Sequence, residues 1–178
     1  MSAKHFALIT TVGADRPGIV EKISGWILEQ RGNIEDSRMS QLGGEFATLI
    51  LVSGDDAIAQ RLDATHGAFA QSTGLTVFTR AVAGIPPVPG QPVLRYQLRA
   101  TSLDNPGIVH QVATLLSRYG VNIVSATTQS ASAPFSGAPV FQIQMLIDIP
   151  GSVSATRLRQ ELEELGIRLN IDFLLEAE

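Results

Sequence analysis

Two short segments carry residue types that together suit a small zwitterion: Asp15-Arg16-Pro17-Gly18-Ile19-Val20 and Asp104-Asn105-Pro106-Gly107-Ile108-Val109. A proline-glycine corner that opens a helix leaves unpaired N–H groups and about half a positive charge at the helix N-terminus, which suits a carboxylate. Gly18 and Gly107 have no side chain, so a ligand can approach the backbone there. Asp15 or Asp104 can accept a hydrogen bond from an ammonium group. Asn33 and Asn122, followed by Ile34 and Ile123, offer a donor and an acceptor to the same ligand at the start of a later strand. Such a set is the complement of a free amino acid. The same residues also have a plainer reading. Asp ahead of Pro is a common helix cap worth about 1 kcal/mol with no ligand, glycine can serve close packing of helix on sheet, and asparagine is frequent in turns.

Other chemistries find less support. Cysteine is absent, which removes disulfides, thiolate metal sites and cysteine nucleophiles together. His5, His66 and His110 are scattered with no carboxylate at ligand spacing, so neither a metal nor another cofactor is expected. Acids outnumber bases 17 to 13 for a net charge of −4, which weighs against direct nucleic-acid binding. Aromatic residues make up 6% of the chain, too few for the stacking strands of an RNA-recognition module. No apolar run approaches the length of a membrane span, and the residues leading to Phe6 run into a strand rather than a signal peptide. A cytoplasmic location fits. No catalytic residue is assigned: the alternative of a small enzyme of acylphosphatase type has Arg16 in its first loop, but no cradle of glycines and no arginine in the second copy. A ligand-free protein-interaction scaffold is the other alternative.

The elements that must position these residues come twice. The two Asp-x-Pro-Gly segments lie 89 residues apart, from Pro17 to Pro106, and the two asparagines keep that offset, from Asn33 to Asn122. A fixed offset across a whole helix marks an internal repeat. The second copy lengthens between 131 and 139, where an insertion at a hairpin tip costs little. Residues 84–92, rich in proline, read as a semi-rigid spacer, so the domains are placed at 1–83 and 93–178.

Periodicity predicts strands over 4–12, 34–42, 45–53 and 75–82 in the first copy, with helices over 17–31 and 55–71. Pro17 is assigned to the first helical turn, and Gly32 to the helix C-cap. Trp26, on the apolar face of the first helix with Ile19, Ile23 and Ile27, is read as core. The second copy predicts strands over 93–102, 122–130, 140–149 and 167–175, with helices over 106–119 and 154–165. Tyr119 is expected inward and Glu161, Glu163 and Glu164 on the wet side. Arg95 and Arg99 share one face of a strand and read as a solvated sheet edge. The fold class is α+β: two ferredoxin-like βαββαβ modules, each an antiparallel four-stranded sheet with helices on one face.

The Asp-x-Pro-Gly corner, followed about fifteen residues later by Gly32-Asn33-Ile34 or Val121-Asn122-Ile123, resembles the ACT domain, and the resemblance covers nearly the whole chain twice. It implies a regulatory module that binds an amino acid, with the ligand at Asp15, Arg16, Pro17, Gly18, Ile19, Asn33 and Ile34, and at Asp104, Asn105, Gly107, Ile108, Asn122 and Ile123. Two such domains with no attached enzyme further resemble the glycine cleavage system transcriptional repressor group. That implies a non-enzymatic regulator of transcription responding to a glycine- or serine-like effector, acting through a protein partner such as a transcription regulator, and forming a homodimer. The copies depart from one another: Asn105 stands where the first has Arg16, and Val121 where it has Gly32, so the two sites need not share affinity or ligand.

Overall fold

The computed structural model describes residues 4–83, 92–103, 106–132 and 139–178. The chain divides into two compact units, Met1–Pro87 and Val88–Glu178. The first contains β1 (His5–Ala14), α1 (Ile19–Glu29), β2 (Asn33–Leu42), β3 (Glu45–Gly54), α2 (Ile58–Thr73) and β4 (Thr76–Val82). The second repeats the order with β5 (Val93–Leu103), α3 (Ile108–Arg118), β6 (Asn122–Ser132), β7 (Pro139–Pro150), α4 (Ala155–Leu169) and β8 (Ile171–Ala177). Each sheet is antiparallel, in the orders β2-β3-β1-β4 and β6-β7-β5-β8. The predicted spacer, residues 84–92, lies outside the described residues except for Pro92.

Alternation along β1 buries Ala7, Ile9 and Thr11 under the helices, as a strand's two-residue period requires. From α1 the buried residues are Ile19, Ile23, Trp26 and Ile27, and the core closes with Ile50, Val52, Ile58 and Leu62. One polar pair sits inside it, Thr11 Oγ1 against Thr48 Oγ1 at 2.9 Å. The second unit buries Leu98, Val112, Leu116, Ile147, Leu158 and Leu162 in the corresponding core. No helix among the described residues is long and apolar enough to cross a membrane.

Several local expectations are corrected. Pro17 is not in the first turn of α1. The N-cap is Gly18 at φ 84°, ψ 1°, so proline stands before it. The first helix does not end on Gly32. Arg31 takes the left-handed conformation at φ 59°, which Gly120 takes at φ 63° in the second unit. Gly32 is small for another reason: a Cβ there would lie 2.6 Å from Val52 Cγ1 and 3.0 Å from Ile27 Cγ2. Helix α4 runs through 166–169, predicted as turn and strand, because Asn170 at φ 55° and not Gly166 terminates it. Arg95 and Arg99 are on a central strand, so the solvated surface is the sheet's face rather than its edge. Tyr119 is half-buried and donates its hydroxyl to Glu161 Oε1 at 2.9 Å, which draws Glu161 out of the wet face.

Candidate functional site

The β1–α1 corner is built by the sheet beneath it. The Asp15 amide donates to the Gly44 carbonyl at 3.1 Å, tying the corner to the β2–β3 turn. The Ile19 amide donates to the Arg16 carbonyl at 3.4 Å, and the first full helical bond runs from the Lys22 amide to the Gly18 carbonyl at 3.1 Å. Among the described residues no side chain caps α1 or α3, both of which have glycine at the N-cap. The capping role open to Asp15 in the sequence is therefore not the one it takes: Asp15 Oδ2 accepts from Gln41 Nε2 at 2.8 Å.

The glycines answer to backbone conformation and not to packing. Gly107 has φ 90°, Gly18 is in the same left-handed region, and side chains are rarely tolerated there. A Cβ on Gly107 would meet nothing within 4 Å, and one on Gly18 only Glu21 Oε2 at 3.9 Å. The side-chain direction of both glycines is thus open, and Glu21 stands in the first turn of α1, where its charge opposes the positive end of that helix. Arg16 folds away from that space and donates from Nη2 to the Thr73 carbonyl at the end of α2. A groove of about 390 Å³ between α1 and α2 is lined by residues including Glu21, Trp26, Phe69 and Thr73. It does not contain Asp15 or Gly18.

The structure separates residues that the sequence grouped. Asn33 lies opposite Ser53 at one end of the sheet, whereas Ala14, ahead of the corner, lies opposite Glu45 at the other. Asn33 and Gln41 are eight positions apart on β2, roughly 26 Å of strand, so Asn33 and Asp15 of one module cannot hold one small ligand. The second unit repeats this: Asn122 pairs with Asp148, while Leu103, ahead of the corner, pairs with Val140. Ile19 and Ile108 are 3% and 5% exposed and pack in the cores, where they support the corners but present nothing to a ligand. Ile123 is half-buried against the second core, and Ile34 lies opposite Val52 beside Asn33. Pro17 is exposed ahead of the cap. Asp104 and Asn105 lie outside the described residues.

Around Asn33 the organising group is Glu35. Its Oε1 accepts from Ser53 Oγ at 2.6 Å, Lys4 Nζ at 2.9 Å and Asn33 Nδ2 at 3.2 Å. Those bonds, Ser53's first, hold its carboxyl down at about 2. A carboxyl depressed in the folded state contributes stability above its unfolded range, and the contribution is lost as pH falls through the folded value. Glu35 should therefore stabilise the first module above about pH 5 and cease to do so near pH 2. Urea unfolding of wild type and Glu35→Gln is expected to show a gap near neutrality that closes in that acid window. A gap independent of pH would refute the assignment.

Gln41, Thr73 and Glu35 were not among the candidates read from sequence. Gln41 and Thr73 reach the corner from distant parts of the chain, which local spacing does not show. Glu35 had a signal, a carboxylate two residues past Asn33.

The family model of the ACT domain matches residues 5–80. Over 170 residues the chain is 28% identical to the glycine cleavage system transcriptional repressor of Escherichia coli K12, covering 96% of this chain and 88% of that one. A solved structure of an unknown protein from Galdieria sulphuraria is 26% identical with a TM-score of 0.84, covering 99% of each chain. Another, provisionally described as a glycine cleavage system transcriptional repressor, is 23% identical with a TM-score of 0.73 over 99% of each chain. That last likeness is one of fold.

Proposed function

Because the family model of the ACT domain matches residues 5–80, we propose that this chain is a non-enzymatic regulator that senses a small amino acid and modulates transcription through a protein partner. The observation that supports the reading is the pair of left-handed glycine corners that open α1 and α3, where a Cβ would meet nothing within 4 Å at Gly107 and only Glu21 Oε2 at 3.9 Å at Gly18. The effector's carboxylate takes the first-turn amides. Its ammonium takes Asp15, whose two oxygens retain acceptor capacity beside Gln41. Because the asparagine lies at the far end of its own sheet, a ligand that touches both a corner and Asn33 or Asn122 does not take both from one module. A ligand shared between copies of the chain favours one packing of them over another, which is the form allosteric coupling requires. The likeness to a transcriptional repressor and the net negative charge together support action through a partner rather than on DNA.

The acylphosphatase alternative needs Arg16 free for a phosphoryl group, and Arg16 is turned onto the Thr73 carbonyl. Thermal unfolding of the full chain with each common amino acid at millimolar concentration tests the sensor reading. Glycine or a serine-sized amino acid is expected to stabilise the protein by about 2.7 kcal/mol at a hundred times its dissociation constant, and Asp15→Ala should abolish the effect. If no amino acid shifts the transition, the protein is not a sensor of this kind.

A further inference from the structure

The outward face of the first sheet does not look like the outward face of the second. In the first, Phe6, Leu8, Val12, Leu49, Leu51 and Phe78 turn away from the helices. Val12 is 39% exposed, Leu49 44% and Phe78 63%. Positions in the same register of the second sheet carry Arg95 for Phe6, Gln97 for Leu8, Arg99 for Thr10, Thr101 for Val12 and Gln144 for Leu49, while Leu146 and Leu174 stand for Leu51 and Phe78. There the face is laced by ion pairs, Arg95 Nε to Asp148 Oδ1 at 2.8 Å and Arg99 Nη1 to Glu176 Oε2 at 3.8 Å. One topology thus supports a largely polar face in one module and a more apolar one in the other, so the fold does not require apolar residues at Phe6, Leu8, Val12 and Leu49. A contiguous apolar patch of this kind marks an interaction surface.

We infer that this face is a homodimer interface, first module against first module of a second copy, with the two sheets packed face to face about a twofold axis parallel to the strands. Under that operation β4 of one copy lies over β2 of the other. Three features of the face are then complementary to themselves. Asp36 and Arg80 lie in one cross-strand row at opposite edges, through Leu51 and Leu8, so each meets the opposite charge on the partner copy. Arg80 has no ion pair among the described residues, while Asp36 pairs with the exposed Arg38 at 2.6 Å and accepts from the Ser37 amide at 2.8 Å. Phe78 projects from β4, and a recess of about 100 Å³ lined by Leu8, Asp36, Arg38, Leu49 and Leu51 lies on the β2 side to receive it. Four strands about 4.8 Å apart and about seven residues long present roughly 19 by 23 Å. Two such faces remove on the order of 900 Å² of projected surface, the small end for a specific complex, so the dimer is concentration-dependent. It forms whether or not the corners hold a ligand.

Sedimentation velocity of the full chain over a hundredfold concentration range tests this. Wild type is expected to pass from monomer to dimer. Leu49→Gln, which installs the residue of the second sheet, and Phe78→Ser should each raise the dissociation constant roughly tenfold or more with unchanged circular dichroism. Arg80→Asp alone should weaken the dimer, and Asp36→Arg combined with it should restore it. These two positions are exposed, so the charge pair decides the matter even if Leu49→Gln fails to fold. A wild type that stays monomeric overturns the proposal, as does a dimer untouched by Phe78→Ser and Arg80→Asp, which would be held by sheet edges instead.

Discussion

Trp26→Ala is expected to lower the stability of the first module by about 3–5 kcal/mol, the range for truncating a large aromatic in a core. Trp26 is 5% exposed and stacks on Phe69 with ring centroids 4.5 Å apart and planes 8° from parallel. Its Nε1–H donates to Thr65 Oγ1 at 3.0 Å. These contacts join α1 to α2. Through α2 they also reach the corner, because Thr73, one turn past Phe69, holds Arg16. Trp26→Phe separates the two contributions. It keeps an apolar ring in the stack and gives up the hydrogen bond, worth about 1 kcal/mol net; the Thr65 hydroxyl still donates to the Arg61 carbonyl at 2.8 Å. Chemical denaturation followed by far-ultraviolet circular dichroism checks both variants, since the chain has one tryptophan and both remove it. If Trp26→Ala costs less than about 1 kcal/mol, the stack is peripheral and the corner rests on other contacts.

The architecture was legible because it is written in periods and repeated. Alternation in β1 and the apolar stripe of α1 each specify a face without knowledge of any distant residue, and the 89-residue offset confirmed one copy by the other. What could not be read was the outcome of competition between neighbours in space. Gly32 looks like a helix terminator, yet Arg31 takes the left-handed position and Gly32 is excluded from having a side chain by Val52, a residue twenty positions away. The corner's residue types, and that it opens a helix, were visible in advance. Its grouping with Asn33 was not tenable, because sequence proximity to a strand's start says nothing about which end of the sheet that start occupies. The partners that engage Asp15 and Arg16, namely Gln41 and Thr73, are brought in by the β2–β3 hairpin and by the C-terminal end of α2.

Gly166→Ala and Gly67→Ala are expected to act in opposite directions, although both put the same methyl group into a helix. By intrinsic propensity alone each should gain, since glycine is about 1 kcal/mol worse than alanine in a helix interior. Gly67 is exposed in α2, and a Cβ there would meet nothing within 4 Å, so the gain of up to about 1 kcal/mol should appear. Gly166 is buried in α4 where the chain doubles back into β8. A Cβ there would lie 2.4 Å from the Ile171 carbonyl oxygen and 3.3 Å from Phe173 Cδ2. The first obstacle is backbone, and it belongs to a strand already paired with β5 from Ser102↔Ile171 onward. It cannot yield without breaking that register, so overpacking of about 1–3 kcal/mol or more outweighs the propensity gain. Denaturant midpoints of the two variants should therefore fall on either side of wild type. Hydrogen exchange in Gly166→Ala should rise over α4 and β8 while β1–β4 keep their protection. Equal stability of Gly166→Ala and wild type would mean that α4 can pivot away from β8, and that glycine at this position is incidental to the fold.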